Sequence, residues 1–245
     1  MKKVIWLALG LAIIVLGLTP RSAAAVTAAR NQDTIKKGVE YGVWSPDSKF
    51  FAAVVEAEDF STQIEIFDVT TEKWFTLASN ATGIAWSPDS LAIAFTRMAV
   101  STAGFRVDLF IVKFDSGDAE QLTSSKMGEY MGYPIFSPDG EWILFSAGNG
   151  NLQKVSLIDK KIYQLTKGGI DSPKKWENGR IYFSSLGRPH QGEYSMASDG
   201  SALRFEGERK FPHYSSEERL PSPDGKWVAT INKREHELTL QKTSS

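Results

Sequence analysis

Four near-identical phrases punctuate this chain: Trp44-Ser45-Pro46-Asp47-Ser48, Trp86-Ser87-Pro88-Asp89-Ser90, Phe136-Ser137-Pro138-Asp139-Gly140 and Ser222-Pro223-Asp224-Gly225. Proline at the second turn position presets φ, aspartate bonds its side chain to the backbone just ahead, and Gly or Ser closes the turn where an unusual conformation is needed. Each phrase is therefore a tight turn, and Pro46, Asp47, Pro88, Asp89, Pro138, Asp139, Pro223 and Asp224 read as scaffold. A worn fifth copy, Trp176-Glu177-Asn178-Gly179, keeps the aromatic, the turn and the strand after it. Intervals between the closing residues Ser48, Ser90, Gly140, Gly179 and Gly225 are 42, 50, 39 and 46 residues. A period of a few tens of residues means one supersecondary unit repeated.

The unit is all-β. After the turns come the apolar runs 50–55, 91–95, 142–145 and 227–231, continuous rather than alternating, as strands covered on both faces require. Third strands are expected at 63–69, 106–114, 151–158, 193–197 and 236–241, and fourth strands at 74–77, 120–123, 163–166 and 203–205. Four strands per unit make a propeller blade. The last unit lacks a fourth strand, and a Thr34-Ile35 segment stands as far ahead of Trp44 as Thr166 stands ahead of Trp176. The pattern predicts a five-bladed β-propeller of four-stranded antiparallel blades. Its ring is closed by an amino-terminal strand near residues 28–36 that completes the last blade and hides two sheet edges. The alternative is a partial six-bladed propeller.

The aromatic-Ser-Pro-Asp-Gly turn, the aromatic-rich second strand and a Leu-Thr ending (Leu122-Thr123, Leu165-Thr166) resemble the TolB-type propeller repeat, which also occurs in propellers of prolyl oligopeptidase relatives. The resemblance covers nearly all of residues 28–245 and implies a propeller without TolB's amino-terminal domain. It does not carry over TolB's partners, because one propeller fold hosts many jobs.

Lys2 and Lys3 precede an apolar run from Val4 to Leu18, followed by Pro20-Arg21 and Ala23-Ala24-Ala25. This reads as a signal peptide over residues 1–25, with a single propeller domain over 26–245 and a periplasmic or secreted location. The run is shorter than the roughly 20 residues of a membrane span, so none is expected after cleavage. Cleavage would leave 25 basic against 29 acidic residues, a sign that disfavours nucleic acid. No cysteine is present, which excludes disulfides, a thiolate metal site and a Cys nucleophile.

Chemistry is sparse. There is no Gly-x-Ser-x-Gly nucleophile elbow and no phosphate-binding Gly-rich loop. Propeller topology puts His190, His213 and His236 on one face, with Glu193, Glu217 and Glu235 near them, but their spacing matches no compact metal motif, so no metal and no cofactor is expected. The same face collects Arg97, Phe105, Tyr130, Tyr133, Arg188, Tyr214 and Lys233. Aromatic and arginine residues on loops are the types enriched in binding hot spots. Residues 97–105 read as a long loop with exposed Met98, Val100 and Phe105. The expected function is an exported, non-enzymatic, monomeric scaffold that binds another protein or a cell-envelope component through this face. The alternative is a carbohydrate-binding or hydrolytic propeller with its site in the central funnel, where Glu40, Glu129 and Asp171 are the few available acids.

Overall fold

The computed structural model describes residues 34–59, 61–114, 117–209 and 215–243. The expected leader lies outside them, as do His213, Tyr214 and the first part of the expected closing strand. The first described strand, β1 (Thr34–Lys37), precedes blade 1, which consists of β2 (Val39–Trp44), β3 (Phe50–Glu56), β4 (Thr62–Asp68) and β5 (Lys73–Ser79). Blade 2 is β6 (Ala81–Trp86), β7 (Ala92–Ser101), β8 (Gly104–Lys113) and β9 (Ala119–Gln121). Blade 3 follows as β10 (Gly132–Phe136), β11 (Trp142–Ser146), β12 (Leu152–Ser156) and β13 (Ile162–Gln164). Blade 4 is β14 (Asp171–Glu177), β15 (Arg180–Ser185), β16 (Gly192–Ala197) and β17 (Arg204–Glu208). Blade 5 contains β18 (Glu217–Pro221), β19 (Trp227–Asn232) and β20 (Glu237–Lys242). Its fourth strand is β1, which pairs antiparallel to β20 with Thr34 opposite Leu240 and Lys37 opposite Glu237.

The turn phrase closes as its residue types dictate. In blade 1 the Ser48 N–H donates to Ser45 O at 3.0 Å, and Asp47 Oδ1 accepts from Ser45 Oγ at 2.7 Å and from the Lys49 N–H at 3.1 Å. The Phe50 N–H in turn reaches Ser45 Oγ at 3.0 Å, so strand β3 starts in fixed register. In blade 4 the phrase is replaced by Asn178 and Gly179, both at positive φ (49° and 71°), the combination a two-residue hairpin of the I′ type needs.

Apolar cores lie between blades. One joins blades 1 and 2 through Val54, Ile66, Trp86 and Phe95. A second joins blades 2 and 3 through Ala94, Leu109, Ile143 and Phe145. A third joins blades 3 and 4 through Leu144, Leu152, Ile181 and Phe183. The fourth joins blades 5 and 1 through Trp227, Ile231, Leu238, Trp44 and Phe51. Each fully buried phenylalanine among them contributes on the order of 3 kcal/mol by removing apolar surface from water. Between blades 4 and 5 no such cluster forms among the described residues. The alternate positions of β19, Val228, Thr230 and Asn232, are only half-buried, and Arg180, Tyr182 and Glu193 stand likewise on blade 4.

One segment differs from its sequence reading. Residues 97–105 are not a loop: β7 continues to Ser101 and β8 starts at Gly104, paired along their whole length. The link to blade 3 holds the extension, since the Gly128 N–H donates to Phe105 O at 2.6 Å and the Val107 N–H to Glu129 O at 3.0 Å. These bonds along the β8 edge, with the Met98 N–H donating to Asn80 O at 2.9 Å at the base of the β7 edge, let the hairpin stand as a flap. No helix among the described residues is long and apolar enough to cross a membrane.

Candidate functional site

The links between blades and the loops from second to third strands share one face, and two features stand on it. The first is the flap. Register puts Met98 opposite Val107 and Val100 opposite Phe105, so these side chains share one side of the hairpin. Val100 is 73% exposed and Phe105 47%. Met127, also exposed, lies beside Gly104 at the flap's tip. The opposite side is polar and anchored, because buried Asp108 accepts from the Ser125 N–H at 2.6 Å and pairs with Arg106 Nε at 3.3 Å.

The second feature is the central funnel, a cavity of about 510 Å³ walled by innermost strands. Each of β2, β6, β10 and β14 carries a bulge or register shift in its outer half. Bulges re-aim the backbone, and at or beside each one a residue lines the cavity. Those residues are Tyr41, Gly83, Tyr133 and Pro173, each three places before its blade's turn aromatic. Tyr41 Oη accepts from the Gly83 N–H at 2.6 Å and shares a 3.2 Å hydrogen bond with Thr82 Oγ1. Tyr130 leans over Gly132, whose missing Cβ makes room for the phenol. Burial pushes the Tyr130 hydroxyl up to about 12, reinforced by neighbouring Tyr133, and burial raises Tyr41 as well. Both phenols remain neutral donors and acceptors throughout ordinary pH. No Asp, Glu, Lys or Arg lines this cavity among the described residues.

The remaining sequence candidates are placed apart. Arg97 is half-buried, its guanidinium 5.3 Å from the Phe95 ring and 4.8 Å from Phe110. Arg188 pairs with fully buried Asp171 at 2.9 Å and stacks on Phe183 and Tyr194, each at 5.4 Å. His190 is exposed beside Phe205, with ring centroids 5.5 Å apart, in a shallow cavity also lined by Glu208 and Arg209. Lys233 pairs with Glu218 at 2.9 Å. Among the described residues, no three His, Asp or Glu side chains come together as metal ligands would. A further cavity of about 400 Å³ opens on the turn face between blades 2 and 3, lined in part by Asp89, Phe136, Gly140 and Leu157. Sequence reading missed Tyr41, although its offset from Trp44 equals that of Tyr133 from Phe136.

No family model matches the sequence. A curated protein, the uncharacterized peptidase YuxL of Bacillus subtilis, is 29% identical over 119 residues, which is 49% of this chain. The match spans 16% of that protein's length. Among solved structures, one described as the putative TolB of Agrobacterium tumefaciens superposes with a TM-score of 0.57 at 16% identity, covering 82% of this chain and 73% of its own. The β-propeller domain of the Trilobed protease from Pyrococcus furiosus, which has an open velcro topology, gives 0.52 at 12% identity over 87% of this chain and 70% of its own. Five four-stranded antiparallel sheets and these likenesses point the same way: this chain has the fold of the TolB-like β-propellers.

Proposed function

We propose that this propeller is an exported, non-enzymatic recognition module that docks another protein of the cell envelope on the face carrying the flap and the funnel mouth. The observation that carries the reading is the flap itself. Strands β7 and β8 run ten residues each where the second and third strands of the other blades run five to seven. The extension ends in Met98, Val100 and Phe105, apolar side chains left in solvent. A monomer gains nothing by holding them there, whereas a partner's apolar surface recovers about 25 cal/mol per Å² buried. The absence of a nucleophile elbow from the sequence, and of carboxylates from the funnel lining among the described residues, supports binding over hydrolysis.

A photo-crosslinking residue placed at Val100 of the full chain tests the reading, with Leu91 on the turn face as the control position. Discrete adducts to an envelope protein are expected from position 100 only, and Phe105→Ser in the same chain abolishes them. Equal adducts from position 91, or none from position 100, overturn it.

A further inference from the structure

Tyr133 occupies a place where its own backbone argues for glycine. Its φ is +54°, in the left-handed region, and the equivalent bulge residue of blade 2 is Gly83 at φ +63°. A non-glycine residue in that region costs roughly 1–2 kcal/mol. Burial does not offset that cost, because Tyr133 is 57% exposed. What the tyrosine adds over glycine is an aromatic ring and a phenol presented in the funnel, next to Tyr130 and with Tyr41 on the same cavity wall.

The chemistry of the cavity narrows its ligand. Its lining offers phenols, the hydroxyls of Thr82 and Thr96, and apolar proline rings, with no charged side chain among the described residues. A uronate, a phosphate or a peptide carboxylate would lose water there and find no counter-charge. A neutral pyranose presents what the lining can use. Its C–H face meets the negative face of an aromatic ring, and its hydroxyls exchange hydrogen bonds with groups that both donate and accept. A volume of about 510 Å³ falls within the range of small-ligand pockets, roughly 300–1,000 Å³.

We propose that the central funnel is a binding site for an uncharged saccharide, seated on Tyr133 and hydrogen-bonded by Tyr130, Tyr41 and Thr82. The site is separate from the flap and stands or falls independently of protein docking. Tyr133→Gly is the discriminating variant, since it removes the ring and the backbone strain together. Calorimetric titration of the full chain uses cellotetraose, maltotetraose and xylotetraose as neutral probes and tetragalacturonate as the charged one. At least one neutral probe is expected to bind and tetragalacturonate not to. Tyr133→Gly is expected to weaken the neutral probe at least tenfold while leaving the melting temperature unchanged or higher. Failure of all three neutral probes, preference for tetragalacturonate, or a lower melting temperature in Tyr133→Gly each overturns the proposal.

Discussion

The backbone N–H of Asp224 donates to Ser48 Oγ at 3.0 Å, across the seam between blades 5 and 1. The same bond recurs one seam on, where the Asp47 N–H donates to Ser90 Oγ at 3.0 Å. Beside each runs a second tie: Trp44 Nε1 donates to Leu220 O at 2.8 Å and Trp86 Nε1 to Val43 O at 3.2 Å. Both relays need a Trp to open the turn phrase and a Ser to close it. Blade 3 has Phe136 and Gly140 in those places, which offer neither indole N–H nor hydroxyl, and there a cavity opens on the turn face. The small differences among the repeats thus decide which blades are tied to which.

Ser48 sits at φ +62°, strained for any residue with a Cβ. Ser48→Ala keeps that strain and removes the acceptor, so it is expected to cost about 1–2 kcal/mol. Ser48→Gly loses the same bond but relieves the backbone and should cost less. Urea unfolding of the two variants checks the order.

The turn carboxylates make stability fall in acid. Hydrogen bonds from Ser222 and the Lys226 backbone, with the Lys226 charge, lower Asp224 from its ordinary 3.8 to about 2 despite some desolvation, and Ser87 and Ser137 lower Asp89 and Asp139 in the same sense. A carboxyl depressed by folding stabilises above its unfolded value and loses that contribution as pH falls through the folded value. Melting temperature should therefore drop between about pH 4 and pH 2, and Asp224→Asn should flatten part of the drop. A wild-type profile that is level across this window would contradict the assignment.

Arg188 and Asp171 form a pair whose carboxylate has no solvent contact. Arg188→Leu leaves that charge buried without its partner, at an expected cost of about 3–5 kcal/mol. Adding Asp171→Asn to Arg188→Leu should recover part of the loss, because the stranded charge is gone. Chemical denaturation of the single and double variants measures the coupling.

The seam between blades 4 and 5 should open first. It has no apolar cluster among the described residues, and its faces carry Tyr182, Arg180, Thr230 and Asn232. Local opening is easiest where few apolar contacts must be broken. Backbone amides of β17 and β18 are expected to exchange with deuterium faster than those of β7 and β11, read by mass spectrometry.

Much of the fold was legible because its signals are local. The turn phrase, the apolar run after it and the Asn178-Gly179 hairpin each lie within a few residues, and backbone sterics alone turn them into blades. Even the pairing of β1 with β20 could be read, because position relative to the next Trp identifies a fourth strand. The flap could not be read as strand, because its second edge is satisfied by residues 128–131, which belong to the link with blade 3. Arg97 and Arg188 look like surface readers in sequence, yet both are occupied by aromatic rings that folding brings beside them.

By itself the sequence determined five units of four strands and their order along the chain, since periodic turns and apolar strands leave a repeated blade as the way to bury both faces of each sheet. Tertiary structure alone decided which seams are cored, which turns are tied, and that Tyr41, Tyr130 and Tyr133 meet at one cavity. Those tyrosines come from two blades and a link, up to 92 residues apart by their numbers. Only strand bulges and the approach of blades around an axis bring them together, and no spacing in a linear chain encodes that distance.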